Sequence, residues 1–158
     1  MYGLVNYQLT GIQKGIQFLH AVVEYNNLYN NEQLYKDWSI NNKTVILLNG
    51  GTTNKREDEN GLPFGSLNQH LLTLHENGID LATFQEPDLG DQLTSIVFIV
   101  DERVFNRKKY PDFEDWLLTK DDYPDNLKNE KLFKVWSDLV GGEKNIFLRD
   151  FLKNFRLA

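Results

Sequence analysis

Apolar and polar positions alternate between two periods along the first hundred residues. Leu4, Val5 and Tyr7 form a short β-prone run ended by Thr10-Gly11, and Ile12, Ile16, Leu19 and Val23 then recur at helical spacing. The pattern predicts a strand, a turn and a long helix. Thr10 is its expected cap, and it should end near Asn26-Asn27, where consecutive asparagines compete with the helical backbone. A second short helix is predicted over 31–38. Residues 44–48 are apolar without polar alternation, the pattern of a strand buried on both faces and central in a sheet. Residues 49–65 hold four glycines, one proline and a charged run, which predicts a long surface loop, mobile without ligand. Ser66 is the expected cap of a helix striped by Leu67, Leu71 and Leu74, with Gly78 at its left-handed end. Two more strands are predicted over 81–85 and 93–100, joined by the turn Glu86-Pro-Asp-Leu-Gly-Asp91. This order of elements predicts an α/β domain over residues 1–100, with a mixed four-stranded sheet packed with helices.

From Asp101 the strand pattern stops. A charged, loop-rich stretch leads to two aromatic helices predicted near 130–140 and 145–156, so residues 101–158 read as a helical extension. Turn chemistry fills 120–125. Roughly 30 ordered residues would struggle to bury a core alone. The extension is therefore expected to pack on the sheet domain or on a second subunit in a homodimer, through Phe133, Trp136, Phe147 and Phe151.

Composition narrows the class. The 158 residues carry 17 Lys plus Arg against 23 Asp plus Glu, a formal charge of -6, which argues against a protein that coats duplex DNA. The absence of cysteine excludes thiol catalysis and zinc-ribbon folds and suits a reducing compartment, so a cytoplasmic location is expected. The longest apolar run, Ile96 to Val100, falls far short of the roughly 20 residues that span a bilayer, and no membrane association is expected.

Four features carry candidate chemistry. Gln13, Gln17, His20 and Glu24 form a polar row on one side of the first helix, either a solvated face or a ligand-binding one. Glu86, Asp88 and Asp91 place three carboxylates in one tight turn, which suits acid/base work, although Pro, Asp and Gly are also the residues that turns prefer. Thr94 and Ser95 follow, with hydroxyls that can donate to a ligand. Gly50, Gly51 and Thr52 come straight after an apolar strand and can offer backbone amides to a phosphate, without a Walker lysine or a dinucleotide fingerprint. Three histidines, with His70 and His75 on different helix faces, assemble no zinc site, and no cofactor motif is present.

Together, Tyr2-x-Leu-Val-x-Tyr-x-Leu-Thr, Gln17-x-x-His20-Ala21 and Gln85-Glu86-Pro-Asp-Leu-Gly with Thr94 opening the last strand resemble the type II peptidyl-tRNA hydrolases over residues 1–100. The resemblance implies a site gathered from the start of the first helix, the turn before the last strand and that strand's threonine. Gln13 stands where the family carries a lysine, with Lys14 about 100° further round the helix. Glu86 stands where the family carries an aspartate.

Two functions follow as expectations. The first is metal- and cofactor-independent hydrolysis of the ester between peptide and tRNA. Its catalytic residues would be Glu86, Asp88, Thr94, Gln13 and His20, and its ligand contacts Lys14, Gln17, Gly50, Gly51, Thr52 and Ser95. The second keeps the same pocket without turnover, as a module that holds a tRNA end or a small nucleotide and sequesters it.

Overall fold

In the computed structural model, residues 1–53, 57–61, 65–120 and 130–158 are described. The chain divides into two compact units, Met1–Ile99 with Phe155–Ala158 and Val100–Asn154.

The first unit contains β1 (Tyr2–Val5), α1 (Gly11–Tyr29), α2 (Gln33–Asp37), β2 (Ile46–Asn49), α3 (Ser66–Glu76), β3 (Leu81–Glu86) and β4 (Gln92–Phe98). A π-helical turn, Trp38–Asn42, continues α2. The four strands make one mixed sheet in the order β2-β1-β4-β3. β1 runs parallel to β2, and β4 runs antiparallel to both β1 and β3.

The expectation that residues 44–48 form the central strand is corrected. β1 and β4 are central, and β2 lies at one side of the sheet. Its apolar character has another cause, because the C-terminal residues pair along its outer edge. Leu48 bridges Leu157, Asn49 N donates to the Arg156 carbonyl and Ala158 N to the Leu47 carbonyl. The pairing satisfies the backbone of this edge as a further strand would, while the side chains stay partly open, with Ile46 and Leu47 half-buried and Leu48 buried.

Thr10 caps α1 as predicted. Its side chain accepts from Gln13 N while the Gln13 side chain accepts from Thr10 N, a reciprocal capping box. The face of α1 turned to the sheet is not the predicted one. Phe18, Ala21 and Tyr25 are buried against Met1, Val5, Ala82, Val97 and Ile99, whereas Ile12, Ile16, Leu19 and Val23 are exposed. The reason is steric fit. Gly3 of β1 leaves room for the Phe18 ring, since a Cβ there would lie 2.4 Å from Phe18 Cδ2.

α3 is neighbour to Leu4, which alternates with Val5 and so points to the other side of the sheet. Leu67 and Leu74 are fully buried. The expected cap is also corrected: the N-cap position is Gly65, and the Ser66 hydroxyl instead accepts from Thr52 N and reaches the Gly50 carbonyl. Gly78 has φ 65°, as its left-handed role requires.

The second unit contains α4 (Glu102–Phe105), α5 (Phe113–Leu117), α6 (Glu130–Val140) and α7 (Glu143–Phe151). It has a core of its own, correcting the expectation that the extension is too small for one. Trp116, Leu132, Trp136 and Val140 are buried together, with Tyr110, Phe113, Leu117 and Ile146 packed on them. Large aromatic side chains compensate for the short chain. Arg149, 2% exposed, ties the loops to this core: it pairs with Asp112 at 2.8 Å and donates to the carbonyls of Arg103 and Tyr110. Turn residues predicted over 120–125 fall largely at 121–129, outside the described residues. Among the described residues no helix is long and apolar enough to cross a membrane.

Candidate functional site

Three of the residues singled out in the sequence meet in one hydrogen-bonded chain. Gln17 Nε2 donates to Glu86 Oε2 at 2.5 Å, and the Thr94 hydroxyl donates to Gln17 Oε1 at 2.6 Å. The polarity of this chain is fixed by chemistry. A carboxylate only accepts, so the amide nitrogen faces Glu86 and the amide oxygen is left for the hydroxyl. Thr94 is fully buried and Gln17 nearly so, at 0% and 7% exposure, whereas Glu86 is half-buried. The chain runs from the interior to a carboxylate at the surface.

Thr94 reaches α1 because the sheet is irregular there. Phe84 faces Ser95 while Gln85 faces Leu93, so Thr94 is the extra residue of a β-bulge. Val97 packs on α1, and strict alternation back from it would put Ser95 on the α1 side and Thr94 on the other. The bulge turns Thr94 toward Gln17. The Thr94 hydroxyl also lies 3.1 Å from the Phe84 carbonyl. Ser95 is left fully buried with its Oγ unpartnered, so a ligand at the surface does not reach it.

The other predicted residues are placed as follows. His20 is exposed and stacks on Phe84 with ring centroids 4.4 Å apart, one helical turn beyond Gln17. Gln13 is exposed, and its side-chain oxygen is engaged by Thr10 in the cap. Lys14 is half-buried and three, four and seven residues before Gln17, Phe18 and Ala21, so it projects from the sheet-facing side of α1. Its amine has no hydrogen-bond or ion-pair partner among the described residues. Asp88 is exposed in the 3-10 turn Pro87–Leu89, and Asp91 follows Gly90 in the left-handed region with φ 60°.

Gly50, Gly51 and Thr52 do not present a phosphate cradle. Their amides are engaged inside the fold: Gly50 N donates to the Val5 carbonyl, Gly51 N to Asn49 Oδ1 and Thr52 N to Ser66 Oγ. The glycines answer to packing instead. A Cβ on Gly50 would lie 2.6 Å from Leu67 Cδ1, and one on Gly51, where φ is 83°, would lie 1.7 Å from Ser66 Oγ. The mobile loop predicted over 49–65 includes 54–56 and 62–64, which lie outside the described residues, and residues 49–52 take part in these bonds.

A second polar chain was not singled out in the sequence. Asn6, 5% exposed, donates from Nδ2 to Thr53 Oγ1 at 3.0 Å, and the Thr53 hydroxyl reaches Gln92 Oε1 at 3.3 Å. Gln92 is the partner of Glu86 in the β3–β4 register. The loop after β2 is thereby tied to the strand pair that carries the acidic turn. The one signal in the sequence is Asn6 itself, a polar residue closing an apolar strand.

A groove of about 440 Å³ runs between α1 and β3, lined by Glu24, Leu28 and Leu81 to Gln85, one residue short of Glu86. Among the described residues no group of three or more His, Asp or Glu is placed to hold a metal ion. Comparison with protein-family models, curated proteins and solved structures finds no match.

Proposed function

We propose that the chain is an esterase of the type II peptidyl-tRNA hydrolase kind, cleaving the bond between an acyl group and the ribose of a tRNA end. The observation that carries the reading is the chain Thr94–Gln17–Glu86. It fixes one carboxylate oxygen of Glu86 by a hydrogen bond from Gln17 and leaves the other without a partner among the described residues. A carboxylate held in this way can orient and deprotonate a water molecule for attack on an ester carbonyl. Lys14, unpaired on the same side of α1 as Gln17, supplies a cation for a phosphate or for the developing oxyanion. It removes the need for a lysine at Gln13, whose amide is occupied in the helix cap. Thr94 and Gln17 act through Glu86 as positioning residues. The reading needs no metal or cofactor.

The test is release of tRNA from a peptidyl-tRNA substrate. Glu86→Gln should slow turnover by roughly 10²–10⁴-fold, the loss expected for a general base. Lys14→Gln should slow it by roughly 10²–10³-fold if the amine meets the oxyanion. A wild-type chain that releases no tRNA sinks the hydrolase reading. The formal charge of -6 favours a small nucleotide over a long polyanion as an alternative ligand, without turnover. In that case nucleotides should raise the melting temperature of the inactive chain, and Lys14→Gln should abolish the shift.

A further inference from the structure

Among the described residues β3 is the open side of the sheet. The other outer strand, β2, is paired by the C-terminal residues, whereas β3 has only β4 beside it and carries neither lysine nor proline, the residues that commonly blunt such an edge. The hydrogen-bond pattern shows which of its groups are left over. Asn6 N donates to the Thr94 carbonyl, which makes Leu4–Ile96 the next bonded pair between β1 and β4 and turns the main-chain groups of Ser95 and Val97 to β3. Their partners Phe84 and Ala82 are thereby satisfied, and the Glu86 carbonyl accepts from Asp91 N. Thr83 and Gln85 alternate with these, so their main-chain N–H and C=O groups point outward and have no partner among the described residues. These groups form one wall of the groove of about 440 Å³, and Glu24 and Leu28 of α1 form the other. α1 runs antiparallel along it: Gln17 meets Glu86, His20 stacks on Phe84, and the Tyr29 hydroxyl donates to the Leu81 carbonyl. Glu24 alone among the lining residues is charged, and it lies about 10 Å beyond Gln17 along the helix, the rise of about three strand residues.

We propose that this groove takes an extended peptide, which adds to the sheet as a fifth strand beside β3. The chemistry of the groove selects a peptide. Unpaired N–H and C=O groups that alternate along a strand are met in full by another extended main chain. The groove ends one residue short of Glu86, so a chain lying in it brings its carboxyl end to that carboxylate. Glu24 then stands where the free amine of a three-residue peptide comes to lie, and the two charges are complementary. The occupant's role rests on the ester-hydrolysis reading: it is the acyl part of the substrate, running parallel to β3 with its ester carbonyl at Glu86. Recognition through the main chain suits a substrate whose side chains vary.

The probe is Val-Ala-Val amide with a free amino terminus, titrated at millimolar concentration into the nitrogen-15-labelled full chain. In NMR spectra the amides of Thr83 and Gln85 should shift and gain protection from exchange, while those of Ala82 and Phe84, already bonded to β4, stay as they are. N-acetylating the peptide should weaken binding by about two- to fivefold, the effect of losing one exposed ion pair, and Glu24→Gln should erase that difference. Thr83→Pro removes an outward donor without touching the β4 ladder, a change that an edge strand tolerates, so it should abolish binding at unchanged circular dichroism. A peptide N-methylated at both internal amides makes the same test on the wild-type chain and should not bind. In turnover, kcat/KM should rise by roughly 10–100-fold from an acetyl-aminoacyl-tRNA to a tripeptidyl-tRNA, the effect of about two main-chain hydrogen bonds, and the rise should vanish in Thr83→Pro. Absence of shifts, or shifts without the alternation along β3, overturns the proposal, as does binding that survives N-methylation. Protection of the same two amides on raising the protein concentration alone assigns the edge to a second copy and also overturns it. Peptide binding of the stated kind by a chain that releases no tRNA ends the hydrolase reading and leaves the peptide site standing, whereas tRNA release with neither shifts nor a dependence on peptide length does the reverse.

Discussion

Replacing Gln17 by leucine removes, in one step, the donor to Glu86 and the acceptor from Thr94. Glu86 is half-buried and can recover its lost bond from water, and the Thr94 hydroxyl keeps the Phe84 carbonyl within 3.1 Å. The expected cost in a urea titration is therefore only about 1 kcal/mol. On the proposed hydrolase reading, turnover should fall nearly as far as in Glu86→Gln, since an unheld carboxylate would no longer fix a water molecule. Asp112 makes a contrasting case. Burial opposes its ionisation, but the hydrogen bond from Arg149 and the charges of Arg107 and Arg149 outweigh that and hold its carboxyl below the usual range. A carboxyl depressed in the folded state stabilises the fold above its unfolded pKa. That stability is lost as pH falls through the folded value. Asp112→Asn should cost about 2 kcal/mol at pH 7, below the ~3–5 of a fully buried pair because Asp112 is partly exposed. The difference from wild type should shrink in acid, and a gap that stays constant down to about pH 3 would show that the pair does not set the acid limit.

At the scale of elements, β4 and the segment after β2 owe their shapes to contacts that no local pattern announces. The bulge at Thr94 and the left-handed Gly51 are both set by what lies opposite them. Gly51→Ala should destabilise the chain by about 2 kcal/mol or more, from the strained φ and the collision with Ser66 Oγ together. Ser66→Ala in the same background removes the contact with Oγ but leaves Ser66 Cβ 2.9 Å from the added methyl, so only a partial recovery in chemical denaturation is expected, and full recovery would show that neither that contact nor the backbone conformation costs anything. α1 shows the limit of periodicity from the other side. Its cap at Thr10 and its amphipathic period were legible, whereas it continues past the expected end at Asn26-Asn27 to Tyr29. The direction of its burial was not, because Phe18, Ala21, Val22 and Tyr25 form a second apolar row as good as the first, and Gly3 on β1 decides between them.

For the whole molecule, the last four residues have an effect out of proportion to their number. Paired along β2, they close an edge that would otherwise offer unpaired backbone groups to another chain. Removing residues 155–158 should leave the helical signal almost intact while light scattering reports self-association, and a deletion variant that scatters like the full chain would show that this edge is protected in some other way. By itself the sequence determined the α/β order of elements, the four strands, the acidic turn and the residue types of the site, because these follow from short-range periodicity, turn chemistry and capping. Only the tertiary structure decided that β2 is an outer strand, that Gln17 and not Gln13 holds Glu86, that the amides of Gly50 and Gly51 are occupied, and that one apolar stripe of α1 is left uncovered. Apart from the Gly51 amide, which Asn49 occupies, these depend on partners more than ten residues away, and a local pattern says which face of an element is apolar without saying what will come to lie against it.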